Sequence, residues 1–519
     1  MIAASHPDVA AATAAGSMAL ANQLARTARI HPERVALQLD DTRRTYTELD
    51  RRVNRLARAL RERGVHAGDR VAVLATNHIE TAEAFYAVLR LGAIVVPVNF
   101  RLVAGEVAYI VHDCAATLMI VDPVTAPLAE AALSEVDCVR STLCIGDDFE
   151  AALAAEPDDD LDIVVPEQDP AFIMYTSGTT GRPKGAVLTH RNLIMAGMLQ
   201  RIAAGGKCPD GEVVLLGVPM FHIAGMGTAL GRLLGGDRVV IYSGAGFDPA
   251  GVVDLLEREQ ITTTFFVPSQ WQAICAVPGV RERNLALSNI TWGASPATPS
   301  TLQALADTFP NAAAFTAFGQ TETCATVCLL RAEDAVRKRG SIGTPIHGIE
   351  VRIVDDELRD VKPGQVGEFV YRGPVITPGY WGKPEATAEA FAGGWFHSGD
   401  LCQADEDGFI WVVDRKKDMI ISGGENIYCA EVEAVIDGHP KVAEVAVIGV
   451  KHEKWVQTPV AVVTPVDPAD PPTLAEVVEH CRDKLASYKK PTALIIVDSL
   501  PRTATGKVQK FELRKLYAG

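Results

Sequence analysis

The stretch Y-T-S-G-T-T-G-R-P-K-G-A-V-L-T-H, residues 175–190, decides how the rest of the chain is interpreted. It follows the short apolar run 171–174, which predicts a strand. Glycines let successive backbone N–H groups turn toward one point, hydroxyl side chains add donors, and Lys184 adds a positive charge. This composition is typical of a loop that holds a polyphosphate. An ordinary surface loop between two elements is the alternative.

The stretch is not the phosphate loop of kinases and GTPases. That loop requires G-x-x-x-x-G-K-[ST], and counting from Gly178 places Pro183 where its second glycine should be. The sequence therefore predicts a phosphate-binding loop of another kind.

Length and charge limit the classes of protein that fit. At 519 residues the chain is too long for one core and predicts at least two domains. Its 49 basic and 65 acidic residues give a net charge of −16, which argues against a nucleic-acid partner. Anionic substrates must then be held by local basic sites.

The ten cysteines form no C-x-x-C or C-x-x-H pair, which favours free thiols in a reducing compartment and no zinc site. The Ala-rich segment 9–25 has no basic flank, so neither a signal peptide nor a membrane-spanning helix is expected there. No other stretch is long enough to be an integral membrane segment. We expect a cytoplasmic protein.

The order of predicted elements indicates the fold. A strand at 70–75, a helix at 79–91 and a strand at 93–98 begin an alternation that predicts helix-covered, mostly parallel sheets. Thr45 and Glu48 have the spacing of a helix capping box. From about Gly340 short β segments separated by turn residues predict a small barrel or distorted sheet.

The charged break at 414–418 is the predicted domain boundary. The residues beyond it alternate between helix and strand patterns and form an α+β domain of about a hundred residues. The predicted fold class is therefore α/β. Residues 1–414 form a large N-terminal domain of parallel sheets with a small β-barrel-like part, and residues 415–519 form a small C-terminal domain.

Eight sequence strings, in one order along the chain, resemble those of the adenylate-forming enzymes, the superfamily of acyl-CoA synthetases, luciferases and peptide-synthetase adenylation domains. The resemblance extends from about Thr47 to Lys507. Besides the opening stretch, the strings are R-L-G-A-I-V-V-P-V-N (90–99), P-M-F-H (219–222), F-G-Q-T-E (318–322), G-E-F-V-Y-R-G-P (367–374), G-W-F-H-S-G-D (394–400), D-R-K-K-D-M-I-I-S-G-G-E-N-I (414–427) and P-R-T-A-T-G-K (501–507).

The resemblance implies an ATP-dependent acid–thiol ligase, in its fatty-acyl-CoA synthetase branch, with a mobile C-terminal domain. A carboxylate reacts poorly with a thiol, and its mixed anhydride with AMP supplies a good leaving group. Positive groups near the α-phosphorus should stabilise the transition state of the first step. The implied substrates and cofactors are ATP, Mg²⁺, coenzyme A and a hydrophobic carboxylic acid.

The residues implied to bind ATP form a phosphate loop, an adenine pocket and a ribose site. They are Thr176, Ser177, Gly178, Thr179, Thr180, Gly181, Lys184, Gly293, Ala294, Ser295, Phe318, Gly319, Thr321, Asp400, Arg415 and Lys507. The family often has tyrosine where this chain has Phe318, so the ring surface for adenine remains without the hydroxyl.

Four residues are implied to be catalytic, and they are Lys507, His222, Thr321 and Glu322. Glu322 also matches the Mg²⁺ ligand, and carboxylate oxygens suit this hard cation. Taken alone, Glu322 would be interpreted as a surface acid, Lys507 as a solvated terminal lysine and His222 as a core histidine. Their positions inside motifs favour the functional interpretation.

Two further sets are implied by position. Coenzyme A is expected to contact Arg101, Gly423, Gly424, Trp455, Tyr488 and Lys490, and the acyl pocket to include His222, Gly225, Trp292 and Cys324. Lys417 matches the hinge about which the small domain turns. Val456 departs from the glycine usual in the family, and Trp292 can either line the acyl pocket or point into the core.

The acceptor of the acyl group stays open between coenzyme A and a separate acyl carrier protein. Supplying each acceptor to a preformed adenylate would distinguish them. A luciferase-type oxygenase would consume oxygen from the adenylate, and a silent nucleotide-binding protein would be expected to lack Lys507 or Glu322. The identity and chain length of the acid, and whether the chain forms a homodimer, also stay open.

Overall fold

The fold is described from a computed structural model. The described residues are 16–161, 163–176, 183–205, 211–242, 246–293, 297–335, 337–422, 425–452, 455–482, 484–502 and 507–517. They divide into two compact units. The first contains the described residues up to Thr176, from Pro183 to Glu350 and from Arg372 to Ala390, and the second those of Val351–Tyr371 and Phe391–Gly519.

The strands are numbered in chain order. They are β1 (Val35–Leu39), β2 (Thr42–Thr45), β3 (Arg70–Leu74), β4 (Ile94–Pro97), β5 (Leu118–Val121), β6 (Ser141–Cys144), β7 (Pro170–Thr176), β8 (Lys184–Thr189), β9 (Val213–Leu216), β10 (Arg238–Ile241), β11 (Thr263–Phe265), β12 (Asn289–Gly293), β13 (Ala313–Phe318), β14 (Cys328–Leu330), β15 (Thr344–Pro345), β16 (Glu350–Val354), β17 (Gly367–Arg372), β18 (Gly379–Tyr380), β19 (Phe396–Ala404), β20 (Ile410–Arg415), β21 (Ile420–Ser422), β22 (Glu425–Ile427), β23 (Val442–His452), β24 (Val456–Pro465) and β25 (Ala493–Ile496).

The helices are numbered in the same way. They are α1 (Leu20–Ile30), α2 (Tyr46–Glu62), α3 (Ile79–Arg90), α4 (Ala104–Asp113), α5 (Ala126–Leu133), α6 (Asp147–Ala154), α7 (His190–Ala203), α8 (Ile223–Leu233), α9 (Pro249–Arg258), α10 (Pro268–Cys275), α11 (Pro299–Thr308), α12 (Ala332–Ala335), α13 (Pro384–Ala390), α14 (Cys429–Asp437), α15 (Leu474–His480) and α16 (Lys510–Tyr517).

A seven-stranded sheet in the first unit carries the strands on both sides of the phosphate loop. Its order is β18-β8-β7-β4-β3-β5-β6, with parallel pairs from β7 to β6 and antiparallel pairs at β7–β8 and β8–β18. Apolar side chains of β3, β4 and β5 pack against α4 and α5 in one core, for example Val96, Val107 and Met119. Parallel strands buried in this way are expected to be apolar runs, as these are.

A nine-stranded sheet forms the other half of the first unit, in the order β15-β14-β13-β12-β11-β9-β10-β1-β2. The strands from β1 to β13 along this path are parallel. Helices α9 to α11 cover one face, where Trp271 and Phe309 are buried. At β2 the predicted capping box forms, because Thr45 Oγ1 accepts from the backbone N of Glu48 and Glu48 Oε2 accepts from the backbone N of Thr45.

The second unit contains two sheets. One has four strands in the order β16-β17-β19-β20, in the segment where the sequence predicts a small barrel or distorted sheet. The other is β22-β21-β24-β23 with β25 paired to β24, and its core is closed by α14 and α15. The predicted boundary at 414/415 lies inside this unit.

The predicted fold class, a large domain of helix-covered parallel sheets followed by a small α+β domain, is confirmed. The predicted strand 70–75 is observed as Arg70–Leu74 and the helix 79–91 as Ile79–Arg90. Within the described residues, every helix is too short or too polar to cross a lipid bilayer.

Candidate active site

The predicted phosphate loop connects two paired strands. Thr176 ends β7, Lys184 begins β8, and the two residues are partners in the antiparallel register. The five loop residues Ser177, Gly178, Thr179, Thr180 and Gly181 lie outside the described residues. The paired strands nevertheless fix where the loop leaves the sheet and where it returns.

Helix α4 holds both flanks of this loop. Tyr175 Oη donates to Asp113 Oδ2 at 2.7 Å, and Tyr109 Oη donates to the backbone O of Pro183 at 3.1 Å. Lys383 Nζ forms an ion pair with Asp113 Oδ1 at 2.7 Å. Burial, followed by the nearby Cys114 and Asp113, raises the pKa of Tyr175, so its hydroxyl stays a donor. The ends of the loop are therefore anchored to one helix.

Glu322, the predicted Mg²⁺ ligand, is oriented by a residue that the sequence analysis missed. Tyr380 Oη donates to Glu322 Oε1 at 3.0 Å, and the backbone N of Thr377 donates to the Glu322 carbonyl at 2.7 Å. Burial, and next Glu322 itself, raise the pKa of Tyr380, which keeps the phenol protonated. Glu322 Oε2 has no hydrogen-bond partner in the described part of the chain.

Strand pairing brings Tyr380 to the same place as Lys184. Tyr380 pairs with Ala186 in the β18–β8 register, and Lys184 Nζ lies 5.4 Å from the centroid of the Tyr380 ring, within cation–π range. Lys184, Glu322 and Tyr380 therefore lie around one another, although they are far apart in sequence. No local pattern around Tyr380 marks it, apart from its position in P-G-Y-W (378–381).

The loop that carries Thr321 and Glu322 is a tight, strained turn. Thr321–Thr323 forms a 3₁₀ turn, and Cys324 and Ala325 follow with φ values of 51° and 81°. These are left-handed conformations that residues other than glycine adopt at a cost. A Cβ on Gly319 would lie 2.3 Å from the Ala325 carbonyl O, so glycine is needed there.

The predicted adenine residues stand at the carboxyl ends of neighbouring parallel strands. Gly293 ends β12, Phe318 ends β13, and Gly293 is the register partner of Ala317. A Cβ on Gly293 would lie 2.6 Å from the Ala317 carbonyl O, which excludes other residues without a shift. Ala294 and Ser295 lie outside the described residues.

His222 is the N-terminal cap of helix α8. Its Nδ1 accepts from the backbone N of Ala224 at 3.4 Å, and its side chain is half-buried. The predicted acyl-pocket residue Gly225 lies in the first turn of α8, where a Cβ would come 2.1 Å from the Pro219 carbonyl O. Cys324, also predicted for the acyl pocket, is buried, and burial raises the pKa of its thiol above the usual range.

Trp292 lies on the face of the nine-stranded sheet that α9 to α11 cover. It packs in the same core cluster as Trp271 and Phe309 and lines a cavity of about 290 Å³ there. Gly293, the next residue along β12, faces the ring of Phe265 on the other side of the strand. Of the two interpretations of Trp292, this packing favours the core residue.

The predicted ribose ligands Asp400 and Arg415 are brought together in the second unit. They are register partners on β19 and β20, and Arg415 Nε lies 2.7 Å from Asp400 Oδ1. Asp400 is 1% exposed, whereas the Arg415 side chain is 43% exposed. The backbone N of Asp400 also donates to Ser398 Oγ at 2.9 Å.

The remaining predicted residues are distributed over both units. In the second unit the side chain of Lys507 is exposed, and burial lowers the pKa of Lys417, the predicted hinge residue. The predicted coenzyme A contacts Trp455 and Tyr488 are exposed aromatic side chains. Lys490 Nζ donates to the Arg482 carbonyl O, and Gly423 and Gly424 lie outside the described residues. In the first unit the Arg101 guanidinium lies over the ring of its neighbour Phe100.

Comparison with known proteins indicates the same family over most of the chain. Residues 24–381 match the model of the AMP-binding enzyme family, and residues 431–507 match that of the AMP-binding enzyme C-terminal domain. The feruloyl-CoA synthase of Amycolatopsis sp is 40% identical over 494 residues, covering 95% of this chain and 98% of that protein. The long-chain-fatty-acid–CoA ligase FadD13 of Mycobacterium tuberculosis is 36% identical over 483 residues, covering 92% and 94%.

The solved structures agree with this assignment. The o-succinylbenzoate CoA synthetase of Bacillus subtilis, in complex with its acyl-adenylate intermediate, superposes with a TM-score of 0.85 at 30% identity, covering 95% of this chain and 97% of that one. The match extends over both parts of the chain. The chain therefore belongs to the adenylate-forming AMP-binding enzymes and is an acyl-CoA synthetase of the AMP-forming type.

Proposed function

We propose that this acyl-CoA synthetase activates a hydrophobic carboxylic acid, with the nucleotide held by the residues described above. The observation that carries the proposal is the group of Lys184, Glu322 and Tyr380 beside the anchored ends of the phosphate loop. It combines a fixed cation, a fixed carboxylate and a hydrogen-bond donor. Such a set suits the triphosphate of ATP and its counter-ion.

The reaction has two displacements. In the first, a carboxylate oxygen of the acid attacks the α-phosphorus of ATP, the bond to pyrophosphate breaks, and an acyl-adenylate forms. In the second, the coenzyme A thiolate attacks the acyl carbon and AMP leaves, the thiol proton passing to solvent. Lys184 and Lys507 are proposed to stabilise the negative charge that crowds the phosphates in the first step.

The residues around Glu322 fit a magnesium ion. One carboxylate oxygen is held by Tyr380, and the other has no hydrogen-bond partner within the described residues. Mg²⁺ is commonly held by one or two carboxylates together with substrate phosphates, and a bound ion would neutralise phosphate charge. Glu322 is therefore proposed as the protein ligand, with Tyr380 fixing its rotamer and Thr321 placed close to the α-phosphate.

The ribose and the adenine are assigned to the remaining residues. Asp400 is proposed to accept hydrogen bonds from the ribose hydroxyls, and Arg415 to reach the same sugar. The ring of Phe318 and the backbone at Gly293 are proposed to pack against the adenine. Lys417 is proposed as the hinge that exchanges Lys507 for the 423–424 loop between the two steps.

The substrate is proposed to be a fatty acid or a related hydrophobic acid, as the relatives suggest. One relative is named for feruloyl-CoA and the other for long-chain fatty acids, so both aromatic and aliphatic acids are within the range. The acid is proposed to bind with its carboxylate beside His222 and its apolar part toward Gly225 and Cys324. Because Trp292 packs in the core, it is not proposed to line the acyl pocket.

The acceptor is coenzyme A, as in the relatives, and Arg101, Trp455, Tyr488 and Lys490 are proposed to bind it. A separate carrier protein is the other acceptor that the test below distinguishes. A cytoplasmic location is proposed because the cysteines of the described part of the chain are unpaired. Whether two copies associate can be measured on the same purified protein.

The test is pyrophosphate release from ATP with acetate, hexanoate, dodecanoate, palmitate and cinnamate, first without an acceptor. We expect a hydrophobic acid to give the highest kcat/KM and acetate the lowest. Coenzyme A and a phosphopantetheinylated carrier protein are then added separately to the preformed adenylate. Preference for acetate would contradict the proposed substrate, and acyl transfer to the carrier alone would contradict the proposed acceptor.

A further inference from the structure

The carboxamide of Asn77 holds the backbone that leads to His222. Its Nδ2 donates to the Val218 carbonyl O at 3.1 Å, and its Oδ1 accepts from the backbone N of Met220 at 2.9 Å. Only one orientation of the amide satisfies both contacts. In the flipped orientation the amide NH₂ would face the N–H of Met220 and the amide oxygen would face the Val218 carbonyl O. One side chain therefore fixes two backbone groups at the start of the P-M-F-H segment, residues 219–222.

The residue before Asn77 is fixed by a buried carboxylate. Thr76, the preceding residue, donates to Asp122 Oδ2 from its backbone N at 2.7 Å and from Oγ1 at 2.6 Å. Asp122 is fully buried, and its Oδ1 accepts from the backbone N of Thr125 at 2.8 Å. Burial alone would raise the pKa of Asp122, but the hydrogen bonds from His78 and Thr76 outweigh it and lower the pKa. No role in binding or catalysis is proposed for Asp122 itself.

Close packing also restrains the 219–222 segment. The backbone N of His222 donates to the Pro219 carbonyl O at 3.1 Å, and Gly225 leaves no room beside that carbonyl for a side chain. The ring of Phe221 packs edge-to-face on Phe100, with centroids 5.2 Å apart. Displacing the backbone at Val218 and Met220, which leads to His222, would break the two hydrogen bonds of Asn77.

We infer that Asn77, seated by Thr76 and Asp122, is a positioning residue that sets the location of His222 for the acid-activating step. The inference rests on the proposed function, which puts His222 beside the carboxylate of the acid. Asn77 is proposed to act only through the backbone of the 219–222 segment and not by direct contact with the substrate. Its removal should therefore matter only while His222 is present.

The test is a double-mutant cycle between Asn77→Ala and His222→Ala, measured as pyrophosphate release with cinnamate and, separately, with dodecanoate. Misplacement of a reacting group is costly, so we expect Asn77→Ala to lower kcat/KM for the acid on the order of tenfold and to leave the KM for ATP unchanged. In the His222→Ala background the same change should alter kcat/KM by less than about twofold. Thr76→Val should give a smaller loss with the same dependence on His222.

Asn54→Ala is the matched control. Asn54 is a buried carboxamide in the first unit that, like the half-buried Asn77, bonds in both directions, accepting from Arg90 Nη1 at 2.5 Å and donating to the Asp158 carbonyl O at 3.1 Å. Its loss should lower the thermal midpoint as Asn77→Ala does, without changing kcat/KM for the acid. A tenfold loss from Asn77→Ala that multiplies fully with His222→Ala, or an equal loss in Asn54→Ala, would overturn the inference. An unchanged kcat/KM in His222→Ala would instead overturn the proposed role of His222.

Discussion

Glu322 in the first unit and Asp400 in the second are two carboxylates assigned to the same nucleotide, and their surroundings differ. Asp400 faces Arg415 across a strand pair, so its charge is compensated within 2.7 Å. Glu322 accepts a hydrogen bond from the neutral phenol of Tyr380 and forms no ion pair within the described residues. A compensated carboxylate still accepts from neutral hydroxyls, whereas an uncompensated one attracts a cation.

The difference is the physical basis for the two different roles proposed for these carboxylates. The Asp400–Arg415 pair suits a sugar, because its net charge is near zero and its oxygens remain acceptors. The Glu322–Tyr380 pair suits Mg²⁺, because the phenol fixes the carboxylate without cancelling its charge. The predictions below separate loss of charge at the phosphates from loss of binding at the ribose.

The largest effect is expected at Lys507. Lys507→Ala should reduce pyrophosphate release on the order of a thousandfold, because a positive group at the reacting phosphate is lost. Thioester formation from supplied acyl-adenylate should largely survive. Rapid-quench measurement of each half-reaction checks this, with Lys515→Ala, a lysine paired with Glu512 on α16, as the control. Equal losses in both half-reactions would refute the division of roles.

A smaller effect is expected at the ribose site. Asp400→Asn should raise the KM for ATP about tenfold to a hundredfold, because hydrogen bonds to a charged acceptor are lost and Arg415 is left without its partner. The pyrophosphate-release assay checks this at varied ATP concentration. Asp360→Asn, which affects an exposed partner of Arg352 in the same unit, is the control and should leave the KM unchanged. A fall in kcat at saturating ATP, with KM unchanged, would contradict a binding role.

The sequence predicts one of these two sites better than the other. Asp400 and Arg415 lie in motifs that are adjacent strands, so the resemblance placed both partners and strand register joined them. Tyr380 lies beside Glu322 through the pairing of β18 with β8. No hydrophobic periodicity predicts a pairing between segments so distant in sequence. The sequence does not decide whether Trp292 lines the acyl pocket or packs in the core, because a strand pattern does not show which face of a two-sided sheet holds the substrate.

The fold was more predictable than the site for a related reason. Alternating strand and helix patterns at 70–98 predict parallel strands under helices, and this local order is what the sheet requires. The capping box at Thr45 and Glu48 depends on residues three apart and was also predictable. The anchoring of the predicted phosphate loop by Tyr109 and Asp113 depends on how α4 packs, which the sequence alone does not specify.

Tyr380→Phe should weaken the apparent affinity for Mg²⁺ roughly tenfold, because the residue that orients the ligand is lost while the ring beside Lys184 is kept. Titration of Mg²⁺ at fixed ATP, followed by calorimetry, checks the binding directly. Tyr242→Phe, which removes a hydroxyl bonded to the Gly246 carbonyl, is the matched control. Unchanged Mg²⁺ affinity in Tyr380→Phe would show that the phenol does not orient Glu322.

The smallest effect concerns stability in acid. His190 is fully buried, and burial lowers its pKa from 6.5 to about 4. The unfolded chain then binds one more proton between these values, so stability falls as the pH drops from 6.5 toward 4, by at most about 3 kcal/mol. His190→Asn keeps an acceptor for the backbone N of Leu20 and removes the titrating group. The thermal midpoint of this variant should therefore depend less on pH between 6.5 and 4 than that of the unaltered protein. If the thermal midpoints of the two proteins change equally with pH, His190 is not the group responsible for the loss of stability.

The central claim is that Glu322 serves the metal and Asp400 serves the sugar, and calorimetric ATP affinity with and without Mg²⁺ tests it most directly. We predict that Glu322→Gln weakens binding of Mg²⁺–ATP on the order of tenfold and leaves binding of ATP in excess chelator unchanged. Asp400→Asn should weaken both by the same factor. If Glu322→Gln weakens ATP binding equally with and without Mg²⁺, the two carboxylates do not differ as their surroundings indicate, and the claim is contradicted.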